Sequence, residues 1–451
     1  MLLRKSLKKN NTNFNPFILI NNYYNYSTTT KDVVTTTGIV MSFGDGTHGA
    51  LGLPTSSIGL GIHAFEPTKI PNLPTNITSI GAGHYHSLAL TSHGEVWAWG
   101  RNNEFQLGRN KGRNENEPEK VHGLDGVRVR SVLGSGVVSA AVGYDGSLWV
   151  WGKSKRGQLG LGKGVIESAL PTKVDALAGE HIVKVAFGWG HALACTEDGK
   201  LFGWGYCADG RLGQIREAAL QEGEKVLSSP SLTSTATDQL SSSQLHDMAE
   251  KIVLEQMEKE EHMPIIWKPC MLQELHGIAV DDVACGDDHS LVLCADGTLL
   301  SGGNNTYGQL GRSAEMLGIH PVETNLKTSA ISSGLGHSLA VCQIPPSGDS
   351  GISTWGWNSN SQLGRVGLTN IPSLVQGLEG ETPVSVSGGR VHSIALTSEG
   401  ELLVWGCGKN GRLGLGSSAN EAEPIMVDYL DGSQVLQAVC GYDHNLVLVA
   451  E

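Results

Sequence analysis

The sequence predicts an all-β fold: a seven-bladed β-propeller in which the N- and C-terminal segments complete one blade, with a helical insertion. Three observations lead to this prediction. Sixty of the 451 residues are glycine, 39% are hydrophobic and 17% are charged, which is typical of a folded, turn-rich protein. One unit recurs seven times along the chain. The two ends of the chain carry complementary halves of that unit, and joining them would remove the exposed edges of the ring.

The first 31 residues differ in composition from the rest of the chain. They are rich in Asn and hydroxyl residues and contain no acidic residue before Asp32. Their basic residues are Arg4, Lys5, Lys8, Lys9 and Lys31. This composition predicts a transit peptide, since the apolar run at residues 17 to 20 is too short for a secretory signal. We expect import into the mitochondrial matrix; a plastid transit peptide and a plain Asn-rich leader are the alternatives.

Two glycines mark each copy of the unit. The second glycine closes a tripeptide that ends in Leu-Gly, at Gly52, Gly108, Gly160, Gly213, Gly311, Gly364 and Gly414. The first lies eight residues earlier, at Gly44, Gly100, Gly152, Gly205, Gly303, Gly356 and Gly406. It is preceded by Trp99, Trp151, Trp204, Trp355 and Trp405 in five copies, and by Phe43 and Gly302 in the others. Because these tryptophans recur with the repeat, we expect them to pack within the blades.

Each unit contains a hairpin followed by shorter strands. Residues 88 to 90, a turn that ends at Gly94 and residues 96 to 99 give the pattern of two strands joined by a tight turn. Turns such as Asp145-Gly146 and Asp198-Gly199 supply the positive φ that such a turn requires. The remaining part, for example residues 174 to 185, predicts two more strands, so that each unit has four.

The ends of the chain and one long spacing define the domain. Residues 38 to 44 form the second half of a unit, and residues 440 to 449 form a first half alone. The propeller is therefore predicted to span residues 38 to 451. Copies follow one another at 50 to 56 residues, except for 98 residues between Gly213 and Gly311. One insertion of about 45 residues explains the difference.

The insertion, residues 214 to 264, has two parts. A Ser/Thr-rich stretch before residue 243 is typical of a flexible linker. Residues 243 to 262 place apolar side chains at helical spacing, which predicts an amphipathic helix. Its candidate partner-binding residues are Leu245, Met248, Ile252, Val253 and Met257. Packing of this helix onto the propeller is the alternative, and its acidic face argues against membrane binding.

A histidine recurs fourteen residues before the first glycine of the pair. It is found at His86, His191, His289 and His392, and at His337 with five extra residues in the loop at 345 to 350. Val138 occupies the position in another copy. Circular symmetry places these histidines in different blades, whereas metal ligands must converge within about 2 Å of one ion. We therefore expect a structural role, in which a ring nitrogen bonds backbone at a blade corner, and no metal site.

Other features exclude classes of function. Nothing resembles a P-loop, a dinucleotide fingerprint, a nucleophile elbow or a zinc pair, so neither an enzyme activity nor a cofactor is predicted. The net charge of −13 excludes a broad electrostatic surface for nucleic acids, although it is compatible with a local basic patch. The eight cysteines lack Cys-x-x-Cys spacing and are predicted to be buried free thiols. The sequence contains no run of eighteen apolar residues, so no membrane-spanning helix is predicted.

The repeated unit resembles a known one. The segments CGDDHSL at residues 285 to 291 and WG to QLG at residues 151 to 160 are similar to the regulator of chromosome condensation repeat, and the resemblance covers residues 38 to 451. The founding member of that family is a guanine-nucleotide exchange factor for a small GTPase, an activity that requires a distorting surface and no bond-making residue. It also holds chromatin through a basic tail. The mature body of this chain has no such tail, so we expect no chromatin partner.

The resemblance also bears on two further functions. The plant ultraviolet-B photoreceptor of this fold carries Gly-Trp-Arg-His motifs, whereas residues 188 to 191 here are Gly-Trp-Gly-His, which argues against light sensing. Family members in plant mitochondria are associated with RNA processing and respiratory-complex biogenesis. The resemblance therefore implies a non-enzymatic mitochondrial scaffold that supports organellar RNA splicing or processing and complex I biogenesis through protein partners. Exchange on a small GTPase is the alternative. Direct RNA binding is a third hypothesis, and it predicts a basic and aromatic patch around the ring.

Overall fold

The computed structural model describes residues 36–55, 61–110, 115–214, 263–313 and 316–451. Within these ranges the protein is all-β, with short 3-10 turns at Asp175–Leu177, Ala208–Gly210, Gln273–Leu275, Lys409–Gly411 and Asp428–Leu430. No helical segment in these ranges has the length and apolar character needed to cross a membrane. The predicted transit peptide and the predicted helix at residues 243 to 262, with its five candidate binding residues, lie outside the described residues.

One sheet of eight strands joins the two ends of the chain. Its strands are β1 (Gly38–Gly44), β2 (Ala64–Lys69), β3 (Ile77–Ala82), β4 (His86–Thr91), β5 (Val96–Gly100), β6 (Glu115–Lys120), β27 (Val435–Cys440) and β28 (His444–Ala450). β1 pairs with β28 over seven residue pairs, from Gly38 with Ala450 to Gly44 with His444. This pairing completes one four-stranded group from both ends of the chain, as the sequence predicts. Only the pair Gly38 and Ile77 connects β1 to β3 and so joins this group to β3–β6.

Five antiparallel sheets of four strands follow. Two consist of β7 (Val129–Ser135), β8 (Val138–Gly143), β9 (Leu148–Lys153) and β10 (Glu167–Lys173), and of β11 (Ile182–Phe187), β12 (His191–Thr196), β13 (Leu201–Tyr206) and β14 (Ile265–Met271). The next is β15 (Val280–Cys285), β16 (His289–Cys294), β17 (Leu299–Gly303) and β18 (His320–Pro321). The last two are β19 (Lys327–Ser333), β20 (His337–Ile344), β21 (Asp349–Gly356) and β22 (Ser373–Leu374), and β23 (Pro383–Gly388), β24 (His392–Thr397), β25 (Leu402–Gly406) and β26 (Glu421–Met426).

The first strand of each four-stranded group lines the centre of a closed ring. These inner strands are β3, β7, β11, β15, β19, β23 and β27, and each contacts the next, with β27 contacting β3. Residues of all of them surround a central cavity of about 340 Å³. The sheets therefore radiate from a central channel like the blades of a β-propeller, the architecture by which antiparallel sheets leave only short edges exposed.

The outermost strand of each group is interrupted by proline. Pro67, Pro118, Pro171, Pro269, Pro321 and Pro424 lie in β2, β6, β10, β14, β18 and β26, and Pro372 directly precedes β22. In five of these strands the proline falls within a shift of register against the neighbouring strand. Since proline has no backbone N–H to donate to a ladder, the described outer edges are poor templates for further strands.

The repeated tryptophans pack inside the blades, as predicted. Trp99, Trp151, Trp204, Trp355 and Trp405 are all buried. Each indole N–H donates to the backbone carbonyl two residues before the second glycine of the preceding unit, for example Trp151 Nε1 to Gln106 O at 2.9 Å and Trp405 Nε1 to Gln362 O at 2.9 Å. The tryptophans therefore join neighbouring blades through both apolar contact and a hydrogen bond.

Two local expectations differ from the structure. Residues 174 to 185 hold the 3-10 turn Asp175–Leu177 and only the start of β11, because β10 already ends at Lys173. The buried Leu177 anchors that turn and returns the chain to the core. The extra residues after His337 lengthen the hairpin, since β20 and β21 pair over eight residues up to Ile344 with Asp349, which leaves a four-residue connection.

The eight cysteines are free thiols, as predicted. Cys195, Cys294, Cys342 and Cys407 are buried, and Cys207, Cys270, Cys285 and Cys440 are partly buried. Burial raises the pKa of the Cys195 and Cys285 thiols to about 12 in each case. Since the thiolate is the reactive form, these cysteines act as small apolar core residues.

Candidate functional site: an aromatic and arginine rim

The recurring histidine begins the second strand of its blade and joins that blade to the next one. The ring Nε2 of each histidine lies within hydrogen-bond distance of the residue that follows the corresponding position in the next unit. The pairs are His86 with Ser139 at 2.7 Å, His191 with Ser290 at 2.9 Å, His289 with Ser338 at 3.0 Å, His337 with Ser393 at 3.0 Å, His392 with Asn445 at 2.9 Å and His444 with Ser87 at 2.9 Å. The expected bond to backbone was therefore wrong: the immediate partner is a side chain of the adjacent blade.

The hydroxyl of the partner serine donates a hydrogen bond to a backbone carbonyl. This bond determines which nitrogen of the histidine ring carries the proton. Ser139 Oγ donates to Gln106 O at 2.7 Å, so it accepts from the N–H at Nε2 of His86. Nδ1 of His86 is then unprotonated and has no hydrogen-bond partner. The glycine three residues before the histidine is required for space, because a Cβ on Gly83 would lie 2.1 Å from Cε1 of the His86 ring.

Burial keeps these histidines neutral. It lowers the pKa of His86 and His337 to about 3 and that of His289, His392 and His444 to about 4. The pKa of His191 is also lowered by burial. Within the described ranges, no group of three or more His, Cys, Asp or Glu side chains is placed to hold a metal ion. These histidines therefore have a structural role: they join neighbouring blades.

One blade junction is built differently. Val138 replaces the histidine, Ala192 replaces the partner serine and Ser135 replaces the glycine three residues before. Val138 and Ala192 are buried in the same apolar cluster. Ser135 Oγ donates to Phe187 O of the next blade at 2.7 Å, so a hydrogen bond still crosses the junction. The three changes are mutually consistent. Val138 removes the imidazole ring, Ala192 removes the hydroxyl that would accept its hydrogen bond, and Ser135 fills the space that the ring would need.

We expect Val138→His alone to destabilise the protein by about 2–5 kcal/mol, because the ring would meet the Ser135 Cβ and find no hydroxyl at Ala192. Adding Ser135→Gly and Ala192→Ser should restore stability to within about 1 kcal/mol of the wild type, since the arrangement of the other junctions is then rebuilt. Urea unfolding followed by circular dichroism measures both variants. A triple variant as unstable as the single one would contradict this account of the junction.

Two residues separate the glycine from the histidine in each unit, and we take these pairs as the candidate site. The first residue of the pair lines the central cavity at His84, Asp287, Leu335, Arg390 and Tyr442. At four positions they bring aromatic rings together: His84 and Tyr85, Trp189, and Tyr442. The ring of His84 stacks on Trp189 with centroids 5.2 Å apart and lies 4.4 Å from Tyr442, which lies 5.8 Å from Tyr85. These residues belong to three different blades, and we call them, with the arginines that cover them, the aromatic rim.

Arginine side chains lie over the rings of the rim. Arg390 is 4.9 Å from the Tyr442 centroid and Arg101 is 5.6 Å from that of Tyr85. Arg156 is 5.9 Å from the Trp189 centroid and 5.8 Å from that of Tyr206. Such contacts are worth roughly 0.5–1 kcal/mol each at exposed sites and hold the guanidinium planes in fixed orientations.

Ion pairs between blades make the rim rigid. Arg390 forms a bidentate pair with Asp443, at 2.9 and 2.7 Å, and Arg412 contacts the same carboxylate at 2.7 Å. On the other side of the channel, Arg211 contacts Asp288 of the next blade at 2.6 Å and Asp209 at 3.1 Å. Bidentate, partly buried pairs fix geometry as well as charge.

Two titratable groups of the rim are shifted by burial. Desolvation lowers the pKa of His84 to about 4, against an opposing effect of Asp443, so His84 is neutral at pH 7. Desolvation, reinforced by the neighbouring Asp288, raises the pKa of Asp287 to about 7. A neutral imidazole and a carboxyl group of raised pKa therefore lie beside the arginines and aromatic rings.

The rim encloses a cavity of about 490 Å³ next to the channel. Arg156, Trp189, Arg211, Asp287 and Tyr442 are among its lining residues. Neither a serine nor a cysteine is among its lining residues, which carry carboxyl, imidazole, phenol, indole and guanidinium groups. Chemically, the cavity offers ion pairing, stacking and hydrogen bonding.

Sequence reasoning did not assign the rim as a site. The two residues between the glycine and the histidine can be located in every unit of the sequence. They vary from unit to unit while the residues around them repeat, and this variation is the signal that could have indicated a binding site. The side chains at those positions come from distant parts of the chain, for example His84 and Tyr442 from near opposite ends of the described chain, and only the closed ring brings them together. The predicted binding residues Leu245, Met248, Ile252, Val253 and Met257 lie outside the described residues.

Comparisons with known proteins agree with this architecture. The chain is 28% identical over 382 residues to the ultraviolet-B receptor UVR8 of Arabidopsis thaliana, covering 83% of this chain and 75% of that one. It is 34% identical over 170 residues to the mitochondrial RCC1 domain-containing protein RUG3 of the same plant, covering 37% of each chain. The chain thus spans little more than a third of RUG3.

The solved structure of Prp20p from Saccharomyces cerevisiae is similar in fold. Its TM-score is 0.71, with 22% identity over 93% of this chain and 92% of that one. Prp20p was described with its binding to Gsp1p and histones, so the similarity gives no support to the expected exclusion of chromatin partners. The model of the RCC1-like domain matches residues 39–447, nearly the whole described ring. This chain therefore belongs to the RCC1-like domain family.

Proposed function

We propose that the protein is a non-enzymatic scaffold: a seven-bladed RCC1-like propeller of the mitochondrial matrix that supports organellar RNA splicing or processing and complex I biogenesis by binding protein partners. The blade count follows if the eight-stranded sheet represents two blades, β27-β28-β1-β2 and β3-β4-β5-β6, which share a single residue pair. The composition of residues 1 to 31 and the similarity to mitochondrial RUG3 support the location.

The aromatic rim is the observation that carries the proposal. It presents rings, guanidinium groups and carboxyl groups on one face, and ion pairs between blades hold them in place. Interfaces between proteins are enriched in Tyr, Trp and Arg, since these side chains combine apolar area with hydrogen bonding. A surface that is already ordered loses little conformational entropy on binding.

The test is complementation of a strain of the source organism that lacks the gene. We expect wild-type protein to restore the ratio of spliced to unspliced mitochondrial transcripts and the amount of complex I, and the rim variant His84→Ala/Tyr442→Ala to fail. Tyr144→Ala is the matched control, because Tyr144 is 53% exposed and also carries an arginine, Arg128, over its ring, but lies in a hairpin turn away from the rim. Normal splicing in the deleted strain would refute the proposed role.

A second arm tests the inserted segment. Serine at Leu245, Met248, Ile252, Val253 and Met257 should reduce complementation if that segment binds the partner, and should leave it unchanged if the rim alone does so. Residues 1 to 31 fused to a fluorescent protein distinguish mitochondria from plastids as the destination.

Exchange on a small GTPase is the alternative function, and the fold similarity to Prp20p is its support. It predicts that the protein accelerates release of labelled GDP from an organellar GTPase. Release at the intrinsic rate from all candidate GTPases would exclude the alternative and leave the scaffold proposal in place.

A further inference from the structure

One part of this acidic protein is basic. The chain has a net charge of −13, yet residues 127 to 174 contain seven basic residues and two acidic ones. The basic residues are Arg128, Arg130, Lys153, Lys155, Arg156, Lys163 and Lys173, and the acidic residues are Asp145 and Glu167. Those of the seven that lie together in the structure can concentrate anionic ligands in spite of the overall charge.

Several of these cations line one cavity of about 430 Å³. Lys153 at the end of β9, and Lys155 and Arg156 from the loop that follows, line this cavity with Trp189 of the next blade. Ile265 at the start of β14 lines it as well. Lys163 and Lys268 lie further along the same two segments, where Gly162 N donates to Trp267 O at 3.0 Å. The Lys268 stem passes over Gly162, since a Cβ there would lie 3.3 Å from its Cε. We call these residues the basic groove.

Most of the positive charge in the groove is uncompensated. Lys153 pairs with Glu167 at 2.8 Å. Among the described residues, Lys155, Lys163, Lys268 and the Arg156 guanidinium have no carboxylate within ion-pair distance. The Arg156 guanidinium lies over the rings of Trp189 and Tyr206. It also attracts the Asp287 carboxyl, which lines the adjoining cavity.

The groove lies at the junction where the histidine is missing, and its shape follows from that difference. Two residues before Val138 the chain has Gly136. At the equivalent position the other described units have a side chain: His84, Trp189, Asp287, Leu335, Arg390 and Tyr442. Without a side chain at Gly136, the Trp189 indole is 43% exposed although His84 stacks against it. A flat, partly exposed ring therefore stands beside a row of cations.

Carboxylates limit the groove on the side of the channel. Asp209 and Asp288 are paired with Arg211, and Asp287 lines the adjoining cavity with Trp189 and Arg156. These acids repel a polyanion from the channel mouth, so an anionic chain would run outward past Lys155 towards Lys163 and Lys268.

We propose that the basic groove binds single-stranded RNA, with Lys155, Lys163 and Lys268 contacting phosphates and one base stacking against the planar groups of Arg156 and Trp189. Sites for single strands combine cations that follow the backbone with rings that stack on bases. An acidic peptide would use the cations but would leave the exposed ring unexplained. This proposal goes beyond the scaffold role, which requires protein contacts alone. It shares Trp189 and Arg156 with the aromatic rim. Its phosphate contacts use Lys155, Lys163 and Lys268, which do not belong to the rim.

The test is fluorescence anisotropy of the full chain with a labelled twelve-nucleotide oligo(U) RNA between 50 and 200 mM KCl. We expect Lys155→Glu/Lys163→Glu to weaken binding at least tenfold and to reduce the slope of log K against log salt by about 1.4, since each phosphate contact contributes about 0.7 for single strands. Trp189→Ala should weaken binding by about tenfold, within the range measured for stacked aromatic residues, and Trp189→Phe should restore most of it.

The control is Lys173→Glu/Lys327→Glu. It changes the net charge equally, but both lysines are exposed at the hairpin-turn ends of their strands, away from the groove. Its affinity should stay within threefold of the wild type. Equal losses in groove and control variants, no effect of Trp189→Ala, or equally tight binding of a poly-glutamate peptide would each overturn the proposal. The groove variant keeps His84 and Tyr442, so its failure to bind RNA is separable from a failure of the rim in complementation.

Discussion

Lowering the pH from 7 to 5 is expected to unfold the protein. Burial lowers the pKa of seven described histidines. It lowers the pKa to about 3 for His86 and His337 and to about 4 for His84, His289, His392 and His444. The pKa of His191 is lowered in the same way. In the unfolded chain these rings titrate near 6.5. Between about pH 6.5 and 4 the unfolded state therefore binds more protons than the folded state, and stability is lost as the pH falls.

The expected effect is large because the histidines act together. Each one costs about 1.4 kcal/mol per pH unit below 6.5, so six of them amount to about 12 kcal/mol at pH 5, comparable with the whole stability of an ordinary domain. Burial raises the pKa of Asp287 to about 7 and also raises the pKa of Asp282, so these two carboxyl groups oppose the effect of the histidines. Urea unfolding between pH 5.5 and 7.5 gives the slope of stability against pH. His392→Gln should reduce that slope by about one proton, whereas His276→Gln, at an exposed position, should not change it. A flat profile would contradict the neutral, buried state of the histidine ring.

Trp151→Ala is expected to destabilise the protein by about 3–5 kcal/mol. The indole is fully buried, lies against Gly108 of the preceding unit and donates to Gln106 O at 2.9 Å. Removing it leaves a cavity between two blades and takes one donor from that carbonyl. Urea unfolding followed by circular dichroism measures the change.

Two variants on the same strand separate the contributions. Trp151→Phe keeps most of the apolar volume and loses the N–H, so we expect a cost of about 1–2 kcal/mol. Trp149→Ala, two residues earlier and only partly buried, should cost less than Trp151→Ala, because its indole bonds Ser147 within the same blade. Similar losses for Trp149→Ala and Trp151→Ala would show that the site between blades has no special weight.

The repeat made the fold and the role of His86 and Trp151 predictable, because circular symmetry separates equivalent residues and so excludes a shared metal. The partner of the histidine was not predictable in the same way. It is the residue after the histidine in the next unit, and the contact depends on how two blades abut. Ser135, Val138 and Ala192 are plain in the sequence, but their meaning appears only when the junction between their blades is built.

The rim and the basic groove illustrate the same limit. Single positions such as Trp189 or Lys155 have no distinguishing neighbours along the chain, and their chemistry arises from side chains of adjacent blades. The repeat period predicts the framework of the blades. It does not predict which of the varying side chains come into contact across a junction between blades. The basic groove, on which the proposal of RNA binding rests, lies at the described junction where the repeated histidine is replaced by Val138.

The prolines of the outer strands restrict how this protein associates with others. A peptide that binds by adding a strand needs a continuous row of free backbone donors, and Pro67, Pro118, Pro171, Pro269 and Pro424 interrupt that row within shifts of register. Neighbouring copies are likewise prevented from joining edge to edge at those strands. At these five described edges, recognition by added strands is therefore disfavoured. Contacts made by side chains are not restricted in this way, so sequence changes in exposed side chains can alter partner choice without changing the framework.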